Sequence, residues 1–305
     1  VFFGTPDIAV PALRALADVA EVAAVVCQPD RPAGRGLKLR PPATKVAAEE
    51  LGVEVVQPKK VRGKAFAEWL AEQKADVALV IAYGRILPKR VLEAPRRGCM
   101  NLHASILPKY RGAAPINWAI VHGETETGVA LMQMDEGMDT GPVYCTRTTA
   151  IGADETAGEL YVRLGTLAAE IVRGDLARAV AGELEAVEQD HDNATMAPML
   201  SKEDGRIDWS APAKMVHDLV RGMTPWPGAH TTLDGKRFKV LRTSLGEGTA
   251  GDSAGTITRI EKAFFSVACG EGVVNVLRGQ LEGRKALDAG QLAAGRAIAV
   301  GQTFG

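Results

Sequence analysis

Aromatic side chains are scarce, 5% of 305 residues, which argues against a protein that recognises nucleic acid mainly by stacking bases. The four cysteines, Cys27, Cys99, Cys145 and Cys269, form no C-x-x-C pair, and the five histidines lack helical metal-ligand spacing. No metal site is expected, and free thiols in a reducing compartment are. No apolar run approaches the length of a membrane span, and no charged–apolar–small leader opens the chain. A cytoplasmic location without a membrane partner is therefore expected. Val1 falls inside a strand-like run, so the natural start is expected to lie upstream. Gly4-Thr-Pro-Asp7 is a strand-to-helix turn without the G-x-G-x-x-G spacing, and there is no P-loop, which disfavours nucleotide-dependent oxidoreductases and kinases.

What is present suits a globular protein of two domains: 46% of residues are hydrophobic and 24% charged. The net charge is −1, but residues 206–305 carry 13 Lys and Arg against 9 Asp and Glu. An acidic body with a basic C-terminal module follows, the module suited to a polyanion. Strands are expected at 1–3, 22–26, 53–56, 77–82 and 99–102, with helical spacing between them at 11–20, 44–51 and 63–73. The run Val77-Ala-Leu-Val-Ile-Ala82 is apolar without alternation, as in a strand covered on both faces. This rhythm predicts a doubly wound, mostly parallel, Rossmann-like α/β sheet whose ligands lie beyond the carboxyl ends of its strands. Further strands are expected at 128–134 and 142–149, and a helix over 157–181 interrupted by Gly165 and Gly174. Residues 183–198 are polar and aperiodic. After Arg206, one helix and five short strands suggest a small β-barrel of the oligonucleotide-binding type. The expected domains are 1–182 and 204–305, joined by a linker at 183–203.

The most informative stretch is Asn101-Leu-His-Ala-Ser-Ile-Leu-Pro-Lys-Tyr-Arg-Gly-Ala-Ala-Pro115, which leaves a buried strand for a loop rich in Gly and Pro. Asn101 and His103 are two apart, so both project to one face of an extended chain. An amide and an imidazole at a strand end can supply an oxyanion donor and a proton-handling group. A strand corner satisfied by backbone bonds is the competing explanation. Asp139, in the turn Met134-Asp-Glu-Gly-Met-Asp-Thr-Gly-Pro142, is the acid chosen to orient His103. Asp135 and Glu136 in the same turn suit backbone capping better.

These residues carry a resemblance. Asn101-Leu-His103, Ser105-Ile-Leu-Pro108, Arg111-Gly-Ala-Ala-Pro115 and Met138-Asp-Thr-Gly141 resemble the folate-dependent formyltransferase family. The resemblance implies Asn101, His103 and Asp139 as the catalytic set. It also implies Ser105, Ile106, Leu107 and Pro108 as contacts to 10-formyltetrahydrofolate, the expected co-substrate. Ala104 and Ile106 stand where members usually have Gly and Leu. Ala82-Tyr-Gly-Arg-Ile-Leu-Pro88 resembles the family's pterin wall, which makes Tyr83, Gly84 and Ile86 folate contacts, although Tyr83 and Ile86 suit a plain core equally.

The stretch 28–43 carries Arg31, Arg35, Lys38 and Arg40 against the single acid Asp30. Cations on a loop with glycines suit phosphates and irregular RNA ends, though most basic loops are merely solvated. This segment resembles the inserted loop of those family members that act on initiator methionyl-tRNA. Arg206-Ile-Asp-Trp209 and Thr224-Pro-Trp-Pro-Gly228 resemble the barrel domain of the same members. The expected reaction is formyl transfer to the α-amino group of methionyl initiator tRNA, with no metal and no obligate protein partner. Three alternatives remain at this point: a sugar-nucleotide amine formyltransferase, a Ser–His–Asp hydrolase using Ser105, and a non-catalytic RNA-binding module. Against the hydrolase, no G-x-S-x-G elbow is present and Ser105 lies only two residues from His103.

Overall fold

The computed structural model describes residues 1–33, 38–248 and 251–305, with Ala33 and Lys38 described in backbone only. Two compact units emerge. Unit 1 comprises residues 1–112, 127–149 and 161–196, and unit 2 comprises 113–126, 150–160 and 197–305.

Unit 1 is built on a seven-stranded sheet of β1 (Phe2–Gly4), β2 (Val25–Val26), β3 (Val55–Val56), β4 (Ala78–Ile81), β5 (Cys99–His103), β6 (Glu126–Gln133) and β7 (Val143–Ala150), in the order β7-β6-β5-β4-β1-β2-β3. The pairs β1–β2, β2–β3, β1–β4 and β4–β5 are parallel, and β6 runs antiparallel to β5. The chain winds outward from β1 to β3, then returns to the other side of β1 as β4. That reversal creates a crevice at the carboxyl ends of β1 and β4. Strand β4 is buried throughout, as its uninterrupted apolar run requires. Helix α1 (Ala9–Val19) buries Ala9, Ala12, Leu13, Ala15 and Leu16, the face its 3.6-residue period defines.

Two local expectations change. The basic stretch 28–43 contains an antiparallel hairpin, Arg31–Ala33 against Lys38–Arg40, with Arg31 opposite Arg40. The helical pattern over 157–181 holds through Gly165, running as α-helix from Ala157 to Ile171, then as one π-helical turn at Val172–Leu176 and α-helix again to Ala181. A Cβ on Gly165 would lie 3.1 Å from the Ile8 carbonyl oxygen, so this glycine admits a neighbouring backbone and does not break the helix. Gly174 falls within the π turn, a common form of irregularity inside helices.

Unit 2 has an antiparallel sheet of β8 (His230–Leu233), β9 (Lys236–Gly246), β10 (Ile257–Ile260), β11 (Phe265–Ala268) and β12 (Val273–Leu281), in the order β8-β9-β12-β11-β10, with the short β13 (Leu287–Asp288) added to β12. The C-terminal tail joins the two edges: Phe304 bridges Leu233 of β8, and Thr303 bridges Thr256 beside β10. Trp209, Phe238, Phe265 and Phe304 form an aromatic cluster in its core, with Trp209 stacked on Phe304 at 5.4 Å. Helix α2 (Ala213–Gly222) also buries Val216 and Val220 there. Among the described residues no helix is long and apolar enough to cross a membrane.

Candidate active site

Strand β5 carries Asn101 and His103 to the carboxyl end of the sheet beside the crevice. Their two-residue spacing puts both on one face, and the fold brings Asp139 to them from the turn after β6. Asp139 Oδ2 lies 3.5 Å from His103 Nδ1, and its Oδ1 lies 3.5 Å from Asn101 Nδ2. The backbone N–H of Gly112 donates to Asp139 Oδ2 at 2.9 Å, holding the carboxylate in place. The remaining imidazole nitrogen, Nε2, lies 2.8 Å from the Tyr110 carbonyl oxygen. A carbonyl only accepts, so Nε2 carries a hydrogen. The other ring nitrogen, Nδ1, faces the Asp139 carboxylate. His103 is 6% exposed and Asp139 17%, so this charge and its donors are largely shielded from water. The bond to the Tyr110 carbonyl is what a backbone-satisfied corner would show, whereas the approach of Asp139 from 38 residues away goes beyond it.

Ser105 is buried and donates from Oγ to the Lys109 carbonyl at 2.7 Å. That bond closes the turn 105–109. With the imidazole nitrogens directed to Tyr110 and Asp139, the geometry gives the hydrolase alternative no support. Leu107 packs on Ala130 and Met132, while Ile106 and Pro108 are half-buried. Asp135 does cap its turn, accepting from Gly137 N–H at 3.0 Å and from Thr140 Oγ1 at 2.7 Å.

At the crevice, Tyr83 turns its ring into the core, edge-on to Phe3 at 5.3 Å, and its buried hydroxyl has no hydrogen-bond partner among the described residues. Burial pushes this phenol up to about 12. The Tyr83 carbonyl accepts from Thr5 Oγ1 and Gln28 Nε2, which ties the ends of β1, β2 and β4 together. Gly84 has φ +80° and open space where a Cβ would stand, and Ile86 is 68% exposed. Ile86 and Arg85 border a cleft of about 550 Å³ with Lys59, Lys60 and Arg62. Among the described residues no group of three or more His, Cys, Asp or Glu is placed to hold a metal.

Of the cations expected to meet RNA, Arg31 and Arg40 are exposed on the hairpin, Lys38 lies on it in backbone, and Arg35 lies outside the described residues. The lone acid Asp30 is occupied at the hairpin base. It accepts from Gln57 Nε2 at 2.7 Å and from Lys45 Nζ at 3.0 and 3.1 Å, and these bonds, Gln57 first, hold its carboxyl below the usual range. Like charges placed opposite each other on a hairpin oppose its formation. Arg31 facing Arg40 therefore adds nothing to hairpin stability.

Sequence reasoning missed the layer behind Asp139. Residues 183–196, expected as part of a linker, belong to unit 1. Gln189 is buried there against Arg111 and the Asp139 turn, and Thr195 accepts from the Tyr110 N–H through Oγ1 at 2.9 Å. The available signal was polar and aperiodic, because these side chains satisfy buried polar groups and do not fill a hydrophobic face.

Residues 1–173 match a family model described as formyl transferase, and residues 199–297 one described as formyl transferase, C-terminal domain. A methionyl-tRNA formyltransferase of Sorangium cellulosum (strain So ce56) is 62% identical over 308 residues, covering 100% of this chain and 99% of the relative. One of Geobacter metallireducens is 48% identical, covering 100% and 98%. Among solved structures, a sugar 3N-formyl transferase in the presence of dTDP and 5-N-formyl-THF shares the fold with a TM-score of 0.68 at 18% identity, covering 93% of this chain and 97% of that one. A methionyl-tRNA formyltransferase from Clostridium thermocellum aligns with a TM-score of 0.50 at 20% identity over 64% of this chain and 82% of that one. With sequence identity sustained from end to end, the chain belongs to the methionyl-tRNA formyltransferase family.

Proposed function

We propose that the chain transfers the formyl group of 10-formyltetrahydrofolate to the α-amino group of methionyl initiator tRNA in the cytoplasm. The observation that carries this reading is the meeting of Asn101, His103 and Asp139 at the end of β5, in a chain whose whole length matches that family.

The residues of the crevice fit a folate. A flat ring can approach the side-chain-free face of Gly84, and Ile86 offers an exposed apolar surface beside it. Of the stretch Ser105, Ile106, Leu107 and Pro108 after β5, the half-buried Ile106 and Pro108 offer the ligand a surface, with Ser105 and Leu107 buried beneath them and Tyr83 buried in the core. The bound folate supplies the formyl carbon that the amine attacks. As the amine attacks, charge develops on the formyl oxygen; Asn101 Nδ2 keeps a second N–H beyond the one facing Asp139 and donates it there, with the His103 ring on the other side. Asp139 keeps both side chains directed, accepts the proton the amine sheds, and passes it toward the departing nitrogen. No covalent bond to the enzyme is needed.

Arg31, Arg35, Lys38 and Arg40 provide phosphate contacts to the acceptor end of the tRNA. The domain 204–305 adds affinity through its excess of cations, and the catalytic domain expected at 1–182 also takes in residues 183–196 of the expected linker. The basic hairpin favours tRNA over an amino-sugar nucleotide as acceptor. The test is steady-state formylation of charged initiator tRNA beside an amino-sugar nucleotide, for the wild type and for Arg35→Ala. Efficient formylation of the tRNA, lost on Arg35→Ala with folate affinity intact, supports the reading. Preference for the sugar overturns it.

A further inference from the structure

The side-chain amide of Gln189 is fully used. Nε2 donates to the carbonyls of Asp139 at 2.9 Å and Gly141 at 2.7 Å, while Oε1 accepts from Arg111 Nε at 3.1 Å and Nη2 at 2.7 Å. Two donor hydrogens and two acceptor lone pairs are what a glutamine has. Gln189 is 8% exposed and Arg111 5%, so these bonds are sheltered from water. Arg111 also lies 2.9 Å from His191 Nδ1 through Nη2, and among the described residues no carboxylate forms an ion pair with it. Oε1 of the neutral amide is therefore its principal acceptor.

The backbone that this amide grips is unusual. Asp139 has φ +54°, in the left-handed region that L residues other than Asn and Asp seldom occupy. Such a conformation persists where its surroundings over-determine it. The other staple of the turn, Asp135 to Gly137 and Thr140, is exposed to water and secures only the near side. The far side, from Asp139 to Gly141, is held by Gln189. Arg111 also precedes Gly112, whose N–H holds the Asp139 carboxylate. One cluster thus fixes the acid from its backbone and from its side chain.

We infer that Gln189, backed by Arg111, is a positioning residue: it sets the turn that aims Asp139 at His103 and Asn101. The inference rests on the reaction proposed above and adds a residue that touches no substrate. Asp139 sits at 3.5 Å from both partners, where a small displacement of the turn removes the contacts altogether.

The test is Gln189→Glu, combined with Asp139→Asn in a double-mutant cycle on kcat. A glutamate has the same size and still accepts from Arg111, but it has no N–H for the two carbonyls. Gln189→Glu should lower kcat by about 10- to 100-fold, as misplacement of a reacting group by about 1 Å does. KM for folate and tRNA should stay within about threefold, and Tm should not fall in proportion. In the Asp139→Asn background the same change should cost less than about twofold, because residues acting through one another are not additive. Arg111→Lys, which keeps the charge and loses the two-pronged grip, should show the same pattern and replaces Gln189→Glu if that variant does not fold. Wild-type kcat retained in both variants, or losses that multiply with Asp139→Asn, would overturn the inference. An inactive wild type in the same assay would instead overturn the proposed reaction.

Discussion

Asp139→Asn tests the active site with the smallest change of shape. The aspartate accepts from Gly112 N–H at 2.9 Å and faces Asn101 Nδ2 and His103 Nδ1 at 3.5 Å. An asparagine has one acceptor oxygen. If that oxygen stays on Gly112 and His103, the new NH2 opposes the Asn101 amide; if the group flips, it opposes Gly112 and His103. Either orientation sets a donor against a donor. The carboxylate charge is also lost: unit charges of opposite sign 3.5 Å apart attract by about 5 kcal/mol at an effective dielectric of about 20, the scale of what Asp139 offers to positive charge arising at His103 during transfer. Little more than half of that, about 2.7 kcal/mol, corresponds to 100-fold in rate. Asp139→Asn should therefore lower the single-turnover rate of formyl transfer to charged initiator tRNA by about 100-fold or more. Both substrates would be saturating, with folding checked by thermal melting. A rate within about threefold of wild type, in a folded variant, would refute the assignment of Asp139.

Three further outcomes follow from particular contacts. Replacing Arg31 and Arg40 together by Ala should reduce the slope of log affinity for tRNA against log salt by about 1.5 to 2, and an unchanged slope would show that the hairpin meets no phosphate. Tyr83→Phe removes a buried hydroxyl without a partner among the described residues, so unfolding free energy should be unchanged or higher by about 1 kcal/mol; a loss of that size in denaturant titration would reveal a partner. Glu159 accepts from the Thr156 backbone and from Arg242 and Thr156 side chains, which lowers its carboxyl from 4.5 to about 2. Its folded value is depressed, so its contribution is complete above the unfolded value and fades as pH falls toward about 2. The stability difference between wild type and Glu159→Gln should shrink over that window, and a constant difference would contradict the assignment.

The sequence alone determined the alternation of strand and helix, because hydrophobic periodicity is local and reports which face of an element is covered. The apolar run 77–82 became the buried interior strand Ala78–Ile81, and the two-residue spacing of Asn101 and His103 already put both on one face. The acidic turn 134–142 offered Asp139 as the partner, and the resemblance of the motif implied the same residue. Only the tertiary structure decided what surrounds that set. Arg31 opposite Arg40, the tail at Phe304 meeting β8, and Gln189 reaching Asp139 across 50 residues all depend on which distant groups meet. Residues 183–196 read as a linker because a segment recruited to satisfy buried donors and acceptors needs polar side chains. Polar pairing between remote segments has no period along the chain, and so it becomes legible only after the fold has brought those groups together.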